Sequence, residues 1–165
     1  MKKIKKILVP TDFSSFSFSA LEYVGSLASL HGATVYLLHV ESEPFVVPPF
    51  PNVDFNTETV LRDTEKKSEE LLHNVIAKKM KHIKNVVPMI RKGDAADVIV
   101  DVAQEIEADL IVMATHGRTG LSHILVGSVA EKVVRHSTVP VLTVKPAEVQ
   151  EGVLEKQDVE EQLHF

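Results

Sequence analysis

Short apolar segments alternate with longer segments of helical periodicity along most of this chain. Five apolar segments, rich in β-branched residues and short enough for strands, lie at 4–10, 33–40, 85–91, 109–114 and 139–145. Apolar residues at helical spacing occupy the intervening segments 14–31, 57–81, 94–107 and 127–136. Strands that alternate with helices predict a parallel sheet, because each helix returns the chain to the same end of the sheet. We therefore predict an α/β fold: a single doubly wound, five-stranded parallel sheet with helices on both faces.

Polar residues and glycine mark the ends of the predicted helices. Ser14 or Ser15 can cap the first helix, Gly32 can end it, and Asp94 can cap the third. The apolar residues of the first helix fall mostly at helical spacing, which is typical of a helix with an apolar inward face; they are Phe16, Ala20, Val24, Leu27, Ala28 and Leu30. Pro88 has no amide hydrogen to donate, which favours an edge position for the third strand.

The acidic balance of the chain lies in its last residues. The formal net charge is −5, and residues 146–165 hold six acidic residues and one lysine, whereas residues 1–145 hold 17 of each sign. We therefore predict a formally neutral domain over 1–145, followed by an acidic tail over 146–165. A neutral domain has no general attraction for nucleic acid, so we expect no nucleic-acid partner.

Composition also restricts the chemistry and the compartment. The 165 residues include no cysteine, which excludes disulfides, thiolate catalysis and zinc–thiolate sites. No apolar run approaches the roughly 18 residues that a membrane-spanning helix needs. The basic start is not followed by the apolar core and cleavage site of a signal peptide. We therefore expect a cytoplasmic protein with no membrane partner.

The segments that follow the predicted strands form the candidate ligand site. Ligands of doubly wound sheets bind beyond the carboxyl ends of the strands, where the direction of winding reverses. Pro10, Thr11 and Asp12 follow the first strand, Val40 ends the second, and the segment from 114 to 128 follows the fourth. We expect these segments to meet at one edge of the sheet.

The glycine-rich segment after the fourth predicted strand is the candidate for anion binding. Gly117 and Gly120 permit positive φ angles and a close approach of a ligand to the backbone. Gly127 and Ser128 stand where a helix begins, and the free amides and positive dipole end of a helix attract anions. Arg118 adds a guanidinium group that can bind a phosphate through two hydrogen bonds. The alternative is that the glycines only form a turn and Ser128 only caps the helix.

Three common site motifs are absent from the chain. The sequence contains no G-x-x-x-x-G-K-[ST], no G-x-G-x-x-G after the first strand and no G-x-S-x-G. These absences argue against a Walker-A nucleotide site, a dinucleotide fold and a serine hydrolase. His116 and His123 have no partner acids at ligand spacing, so no metal site is expected there. His39 ends a buried strand and is interpreted as a core histidine.

Several segments together match one family pattern. They are ILVPTDFS at 7–14, LLHV at 37–40, GDAADVIVDVA at 93–103, ADLIVMATHGRTG at 108–120, GSVAEKVV at 127–134 and VPVLTV at 139–144. Through them, residues 2–145 resemble the universal stress protein family, which implies an adenine-nucleotide alpha-hydrolase-like fold. ATP-binding members carry Gly, two residues, Gly, nine residues, then Gly-Ser or Gly-Thr. Gly117 and Gly127-Ser128 match that spacing, and Ala114 stands where the first glycine would be.

The resemblance implies an ATP site at the ends of the strands. Asp12 would contact the ribose and the backbone of Val40 would meet the adenine, with Pro10 and Thr11 lining the site. The phosphates would lie on the residues around the glycine-rich segment, namely Ala114, Gly117, Arg118, Gly120, Gly127, Ser128 and Val129. Mg²⁺ could accompany the ligand through phosphate oxygens and water.

The resemblance also implies a homodimer formed by the last strand, Val139–Val144. As the final strand it is expected at a sheet edge, and exposed apolar edges pair or are covered. The segment from 115 to 128 has no lysine, which gives phosphoryl transfer little support. The predicted function is therefore a stress-response protein with ATP as a regulatory ligand, and not an enzyme. A nucleotide-independent interaction module of the same fold, with unidentified protein partners, and an ATPase are the alternatives.

A proline-rich segment interrupts the alternation of strands and helices. Residues 41–56 contain four prolines among aromatic and apolar residues, and such a composition disfavours both a helix and a central strand. A loop of this length is unusual in a compact domain. It is interpreted either as a lid or interaction loop, or as an insertion that packs on its own domain.

Overall fold

The strands and helices alternate in the predicted order. The computed structural model describes residues 3–42, 57–115 and 127–145. In chain order the elements are β1 (Lys6–Pro10), α1 (Ser15–His31), β2 (Thr34–Glu41), α2 (Thr57–Lys79), β3 (Val86–Lys92), α3 (Ala95–Glu105), β4 (Leu110–Ala114), α4 (Ser128–His136) and β5 (Val141–Val144). Each predicted element is present, and its ends lie within two residues of the prediction. Residues 43–56 of the proline-rich segment and the acidic tail at 146–165 lie outside the described residues.

One parallel sheet organises the fold. Its strand order is β3-β2-β1-β4-β5, and each neighbouring pair is parallel. The predicted α/β fold with a five-stranded parallel sheet is confirmed. β3, which contains Pro88, lies at one edge, and β5 lies at the other, so both edge predictions are confirmed.

Two apolar layers cover the two faces of the sheet. One layer joins the sheet to α1 and α2 and includes Ile7, Val9, Val24, Leu37 and Leu72. The other joins the sheet to α3 and α4 and includes Leu8, Leu38, Ile99, Ile111 and Val133. Alternate residues of the strands therefore enter opposite layers, which explains why the central strands β1 and β4 are largely apolar.

The capping residues form the predicted contacts. The Oγ of Ser14 accepts a 3.1 Å hydrogen bond from the amide of Ser17. Gly32 ends α1 with a φ of 64°, a conformation that favours glycine. The carboxylate of Asp94 accepts hydrogen bonds from the amides of Ala96 and Asp97 at the start of α3.

The buried face of α1 differs from the predicted one. Ala20, Val24 and Ala28 are buried as predicted, and Leu21 is also buried. Leu30 is 78% exposed, so its predicted inward position is wrong. At 100° per residue it lies about 200° around the helix from Ala28, on the opposite side.

The long helix α2 is amphipathic. Its residues Leu72 and Val75 are buried, while Lys66, Lys67 and Glu70 are exposed, as predicted. The helix has 23 residues, but neither it nor any other helix in the described ranges is long and apolar enough to cross a membrane.

β2 extends one residue further than predicted. Glu41 is its last residue and is only 9% exposed. The backbone carbonyl of Glu41 accepts a 3.0 Å hydrogen bond from Gly93, just beyond β3. The prediction that the proline-rich loop begins at Glu41 is therefore wrong, because this residue belongs to the sheet.

Candidate functional site

The carboxyl edge of the sheet forms a step above β1. The pairing of β1 with β2 ends at Pro10 and Leu38, so the last three residues of β2 extend past it. These three residues span about 10 Å. β3 pairs with these residues as far as Lys92, which lies opposite Glu41. β4, on the other side of β1, ends at Ala114. The floor of the step is therefore formed by the ends of β1 and β4, and its wall by the ends of β2 and β3.

This step coincides with the point where the winding reverses. From β1 the chain proceeds outward to β2 and β3, and it then returns to the other side of β1 as β4. α1, which follows β1, and α4, which follows β4, pack on opposite faces of the sheet. The two connections therefore diverge and leave a crevice, which is where ligands bind in sheets of this kind.

Thr11 stabilises the turn after β1 through hydrogen bonds of its backbone and its hydroxyl. Its amide donates to the carbonyl of Leu38 at 2.8 Å, and its carbonyl accepts a 2.8 Å hydrogen bond from Nδ1 of His39. Its hydroxyl lies 3.0 Å from the hydroxyl of Ser17 and accepts from the amide of Phe13 at 3.1 Å. Thr11 is 6% exposed, so it fixes the floor of the step.

The turn is sharp at Phe13. This residue has a φ of 65°, in a region that side chains other than glycine seldom adopt. Its ring packs on the buried ring of His39, with 4.2 Å between centroids. The hydrogen bond of His39 to Thr11 confirms the interpretation of this histidine as a satisfied core residue.

Asp12 lies at the rim of the step and is half-buried. Its Oδ1 accepts hydrogen bonds from the amide and the hydroxyl of Ser14, at 3.0 and 2.6 Å. Ser14, and not Asp12, is the N-cap of α1. Asp12 orients the cap instead. These bonds orient the Asp12 carboxylate, which is a hydrogen-bond acceptor.

The backbone of Val40 faces the space above β1. In a parallel sheet, successive residues direct their amide and carbonyl groups to alternate neighbouring strands. The carbonyl of Leu38 accepts from Thr11 on the β1 side, and that of Glu41 accepts from Gly93 on the β3 side. Val40 therefore directs its amide and carbonyl toward the step, where they offer one donor and one acceptor to a ligand.

The N-terminus of α4 closes the other side of the step. Gly127 is its N-cap, with φ −65° and ψ 152°, and as a glycine it has no side chain to cap the helix amides. The Gly127 amide donates to the carbonyl of Thr115 at 2.6 Å, and the Thr115 amide donates to Val144 at 2.9 Å. Ser128 is the first residue of the helix, so the alternative in which Ser128 caps α4 is wrong. Ser128 and Val129 lie in the first turn, where amides and the helix dipole favour an anion.

Ala114 keeps strand geometry at the position where the motif has glycine. It is the last residue of β4, pairs with Val144 and is 8% exposed. Because strand side chains alternate, its methyl group lies on the same face of the sheet as Val112, toward α1. The other predicted residues of this segment, Gly117, Arg118 and Gly120, lie outside the described residues.

The electrostatics of this edge include one carboxylate with a shifted pKa. The amide of Asp97, aided by that of Ala96 and by Lys132, holds the pKa of Asp94 below its usual value of 3.8. The Nζ of Lys132 lies 3.7 Å from Asp94, which links α4 to the start of α3. Within the described ranges, no three His, Asp or Glu side chains are grouped so that they could hold a metal.

The described groups provide three kinds of contact in one row. The wall at Val40 offers a donor and an acceptor, Asp12 accepts hydrogen bonds at the rim, and the first turn of α4 attracts negative charge. This order suits a ligand with a polar ring at one end, hydroxyls in the middle and an anionic group at the other end. Glu41 and Phe13 also shape this edge, and sequence reasoning missed both.

Two sequence relatives and one family model match nearly the whole described chain. Residues 3–145 match the universal stress protein family. Universal stress protein MJ0531 of Methanocaldococcus jannaschii is 39% identical over 145 residues, which cover 86% of this chain and 82% of that protein. MJ0577 of the same organism is 33% identical, with coverage of 86% and 94%. Its solved structure has a TM-score of 0.63, over 90% of this chain and 100% of that one.

Two further solved structures share the fold and contain nucleotides. A universal stress protein family protein of Arabidopsis thaliana with AMP bound is 22% identical, with a TM-score of 0.62 and coverage of 88% of this chain and 93% of that one. A universal stress protein in complex with cAMP is 23% identical, with a TM-score of 0.57 and coverage of 88% and 100%. At these identities the likeness establishes the fold alone. The family model and the two relatives above 30% identity establish more: this chain belongs to the universal stress protein family.

Proposed function

We propose that this universal stress protein binds ATP as a regulatory ligand. The observation that carries the proposal is the N-terminus of α4, where Gly127 provides no side-chain cap and is tied to Thr115 at the floor of the step. Amides at such a helix start bind phosphate groups well. The AMP and cAMP complexes of proteins with the same fold support an adenosine nucleotide as the ligand.

The proposed ligand lies across the ends of three strands. β2 and β4 are two strand spacings apart, about 10 Å, so a ligand that contacts both needs two separate binding ends. The base of a nucleotide would pair with the backbone of Val40, and the ribose hydroxyls would donate to Asp12. The phosphates would accept hydrogen bonds at Gly127, Ser128 and Val129.

The glycine-rich segment completes the phosphate site in this proposal. Gly117 and Gly120 would allow backbone amides to approach the phosphates, and Arg118 would add positive charge. Ala114 would border the site with a methyl group. Mg²⁺ would be carried by phosphate oxygens and water.

A regulatory role is proposed in preference to an enzymatic one. The segment from 115 to 128 contains no lysine, and phosphoryl transfer depends on charge stabilisation as well as on positioning. A ligand that binds only the folded state stabilises that state in proportion to its occupancy. The stability of the site would therefore vary with the ATP concentration. The protein is proposed to be cytoplasmic.

We also propose that the protein acts as a homodimer through the segment Val139–Val144. β5 is an edge strand whose Leu142 is 37% exposed, and an unpaired strand edge with apolar side chains favours pairing with another chain. Neither nucleic acid nor a membrane is proposed as a partner.

The alternative function is a nucleotide-independent interaction module of the same fold. The observation that favours it is Ala114, whose side chain stands where the motif of the ATP-binding members has glycine. In this case the proline-rich segment 41–56 would contact unidentified protein partners.

Calorimetric titration of nucleotide-free protein with ATP and Mg²⁺ tests the proposal. We expect one saturable site per chain, and a rise in Tm with ATP concentration. If neither heat of binding nor a Tm shift is seen, the proposal fails. Pull-down partners that are lost when residues 43–56 are deleted would then favour the alternative.

A further inference from the structure

The described part of the fold buries several polar side chains. Six described polar residues are at most 9% exposed: Thr11, Ser17, His39, Glu41, Ser68 and Thr115. Among them, Glu41 is the only carboxylate. Of the buried side-chain oxygens and nitrogens in the described part of the chain, Oε1 of Glu41 is the one without a hydrogen-bond partner. A buried acceptor without a donor costs free energy, so this group needs an explanation.

The charged and titratable neighbours of Glu41 are engaged elsewhere. Lys92 lies opposite Glu41 in the register of the sheet, but its Nζ lies 3.4 Å from Oε2 of Glu65 in α2, and its side chain is 42% exposed. His39 lies on the same face, two residues earlier, and its Nδ1 bonds to Thr11. Neither Lys92 nor His39 donates a hydrogen bond to Oε1 of Glu41. This oxygen is therefore available to a donor other than these two side chains.

The position of Glu41 indicates where that donor comes from. It is the last residue of β2, at the top of the wall and directly after Val40, whose backbone faces the step. A ring that pairs with the backbone of Val40 therefore has its outer edge near the start of the Glu41 side chain. The three rotatable bonds of glutamate let its carboxylate reach this rim.

We propose that Glu41 is a specificity-determining residue of the nucleotide site, whose carboxylate accepts a hydrogen bond from the exocyclic amine of an adenine base. This inference rests on the proposed function. A base with an oxo group at the same position would direct lone pairs at the lone pairs of the carboxylate, and no hydrogen bond could form. Glu41 would therefore select an amine and reject an oxo group.

Two nucleotides that differ in the 6-substituent of the base, and in the proton that the 6-oxo base carries on N1, test the proposal. Nucleotide-free wild-type protein and Glu41→Gln are titrated with ATP and with inosine triphosphate, in which the amine is replaced by oxo. The wild type should prefer ATP. The substitution should weaken ATP binding about tenfold, and it should not weaken binding of inosine triphosphate, because an amide can donate to the oxo group.

A second readout separates a ligand-directed role from a structural one. If Oε1 has no partner in the free protein, Glu41→Gln should leave the Tm of nucleotide-free protein unchanged or raise it. The matched control is Glu65→Gln, which removes the same charge from the exposed pair with Lys92. It should change both dissociation constants by less than about twofold.

The possible failures are distinguishable. If the wild type binds no nucleotide, the proposed function fails and this inference fails with it. If the wild type binds ATP but Glu41→Gln keeps the same preference for ATP, only the role of Glu41 is overturned. A Tm of nucleotide-free Glu41→Gln clearly below that of the wild type would show that the carboxylate is held by the protein, and this too would overturn the inference.

Discussion

A carboxylate placed at the start of α4 should weaken phosphate binding while it stabilises the fold. Gly127 has a φ of −65° and the extended ψ of an N-cap, a backbone conformation that aspartate adopts without strain. In Gly127→Asp, the new side chain can accept hydrogen bonds from amides in the first turn, as N-cap aspartates do. It therefore competes with a phosphate for the same amides, and it also repels the phosphate.

The two effects have opposite signs. Exchanging glycine for a better N-cap contributes a few tenths of a kcal/mol, and a negative charge at the helix start adds about 0.3–1 kcal/mol. For a chain of this size the Tm should rise by about 1–3 °C. Two unit charges about 4 Å apart repel by about 1 kcal/mol in water and about 4 kcal/mol at the rim of a protein. ATP affinity should therefore fall at least about fivefold.

Calorimetry and thermal unfolding of the same preparations provide the assay. Gly127→Asn is the matched control for the charge, because it supplies a neutral cap of the same shape, and it should weaken ATP binding less. Asn74→Asp, on the exposed side of α2, adds the same charge away from the site and should have no effect on affinity. Unchanged ATP affinity in Gly127→Asp would refute the placement of phosphate at α4.

Three other substitutions test the structural account. Asp94→Ala should lower the free energy of unfolding by about 1 kcal/mol. Because the Asp97 amide lowers the pKa of Asp94, this contribution is present at pH values above the ordinary pKa of 3.8. It is lost as the pH falls through the lower pKa of the folded state. Urea unfolding at pH 7 and pH 3 measures it, and an equal difference at both pH values would contradict the reasoning. Thr11→Val removes two hydroxyl contacts in the turn and should lower the free energy of unfolding by about 1–3 kcal/mol. Thermal unfolding measures it, and a Tm within 1 °C of the wild type would contradict a stabilising role for the Thr11 hydroxyl. Leu142→Lys should convert the proposed dimer to a monomer in sedimentation, because a lysine on an edge strand opposes pairing. A dimer that persists would exclude this edge as the interface.

Sequence periodicity was sufficient for the order of elements because this sheet is buried on both faces. The central strands β1 and β4 are largely apolar, and α1 and α3 have recognisable caps at Ser14 and Asp94. Pro88 even indicated which strand lies at an edge. The failure at Leu30 has a local reason: an apolar residue near the end of a helix can extend the pattern without facing the core.

The candidate site was predictable only in part. Strand ends determined that Asp12, Val40 and Gly127 share one edge of the sheet. The positive φ of Phe13 and the burial of Glu41 depend on how distant elements pack, namely on His39 beneath the ring and on the extension of β2 beside β3. No local pattern in the sequence carries that information.

The most direct test of the central claim is native mass spectrometry of freshly purified protein, without added nucleotide. Binding at the proposed site predicts a fraction of the protein with the added mass of one adenosine nucleotide per chain. Gly127→Asp, purified in the same way, should lack that mass. Wild-type protein that carries no nucleotide, and that acquires none when ATP is added, would contradict the account.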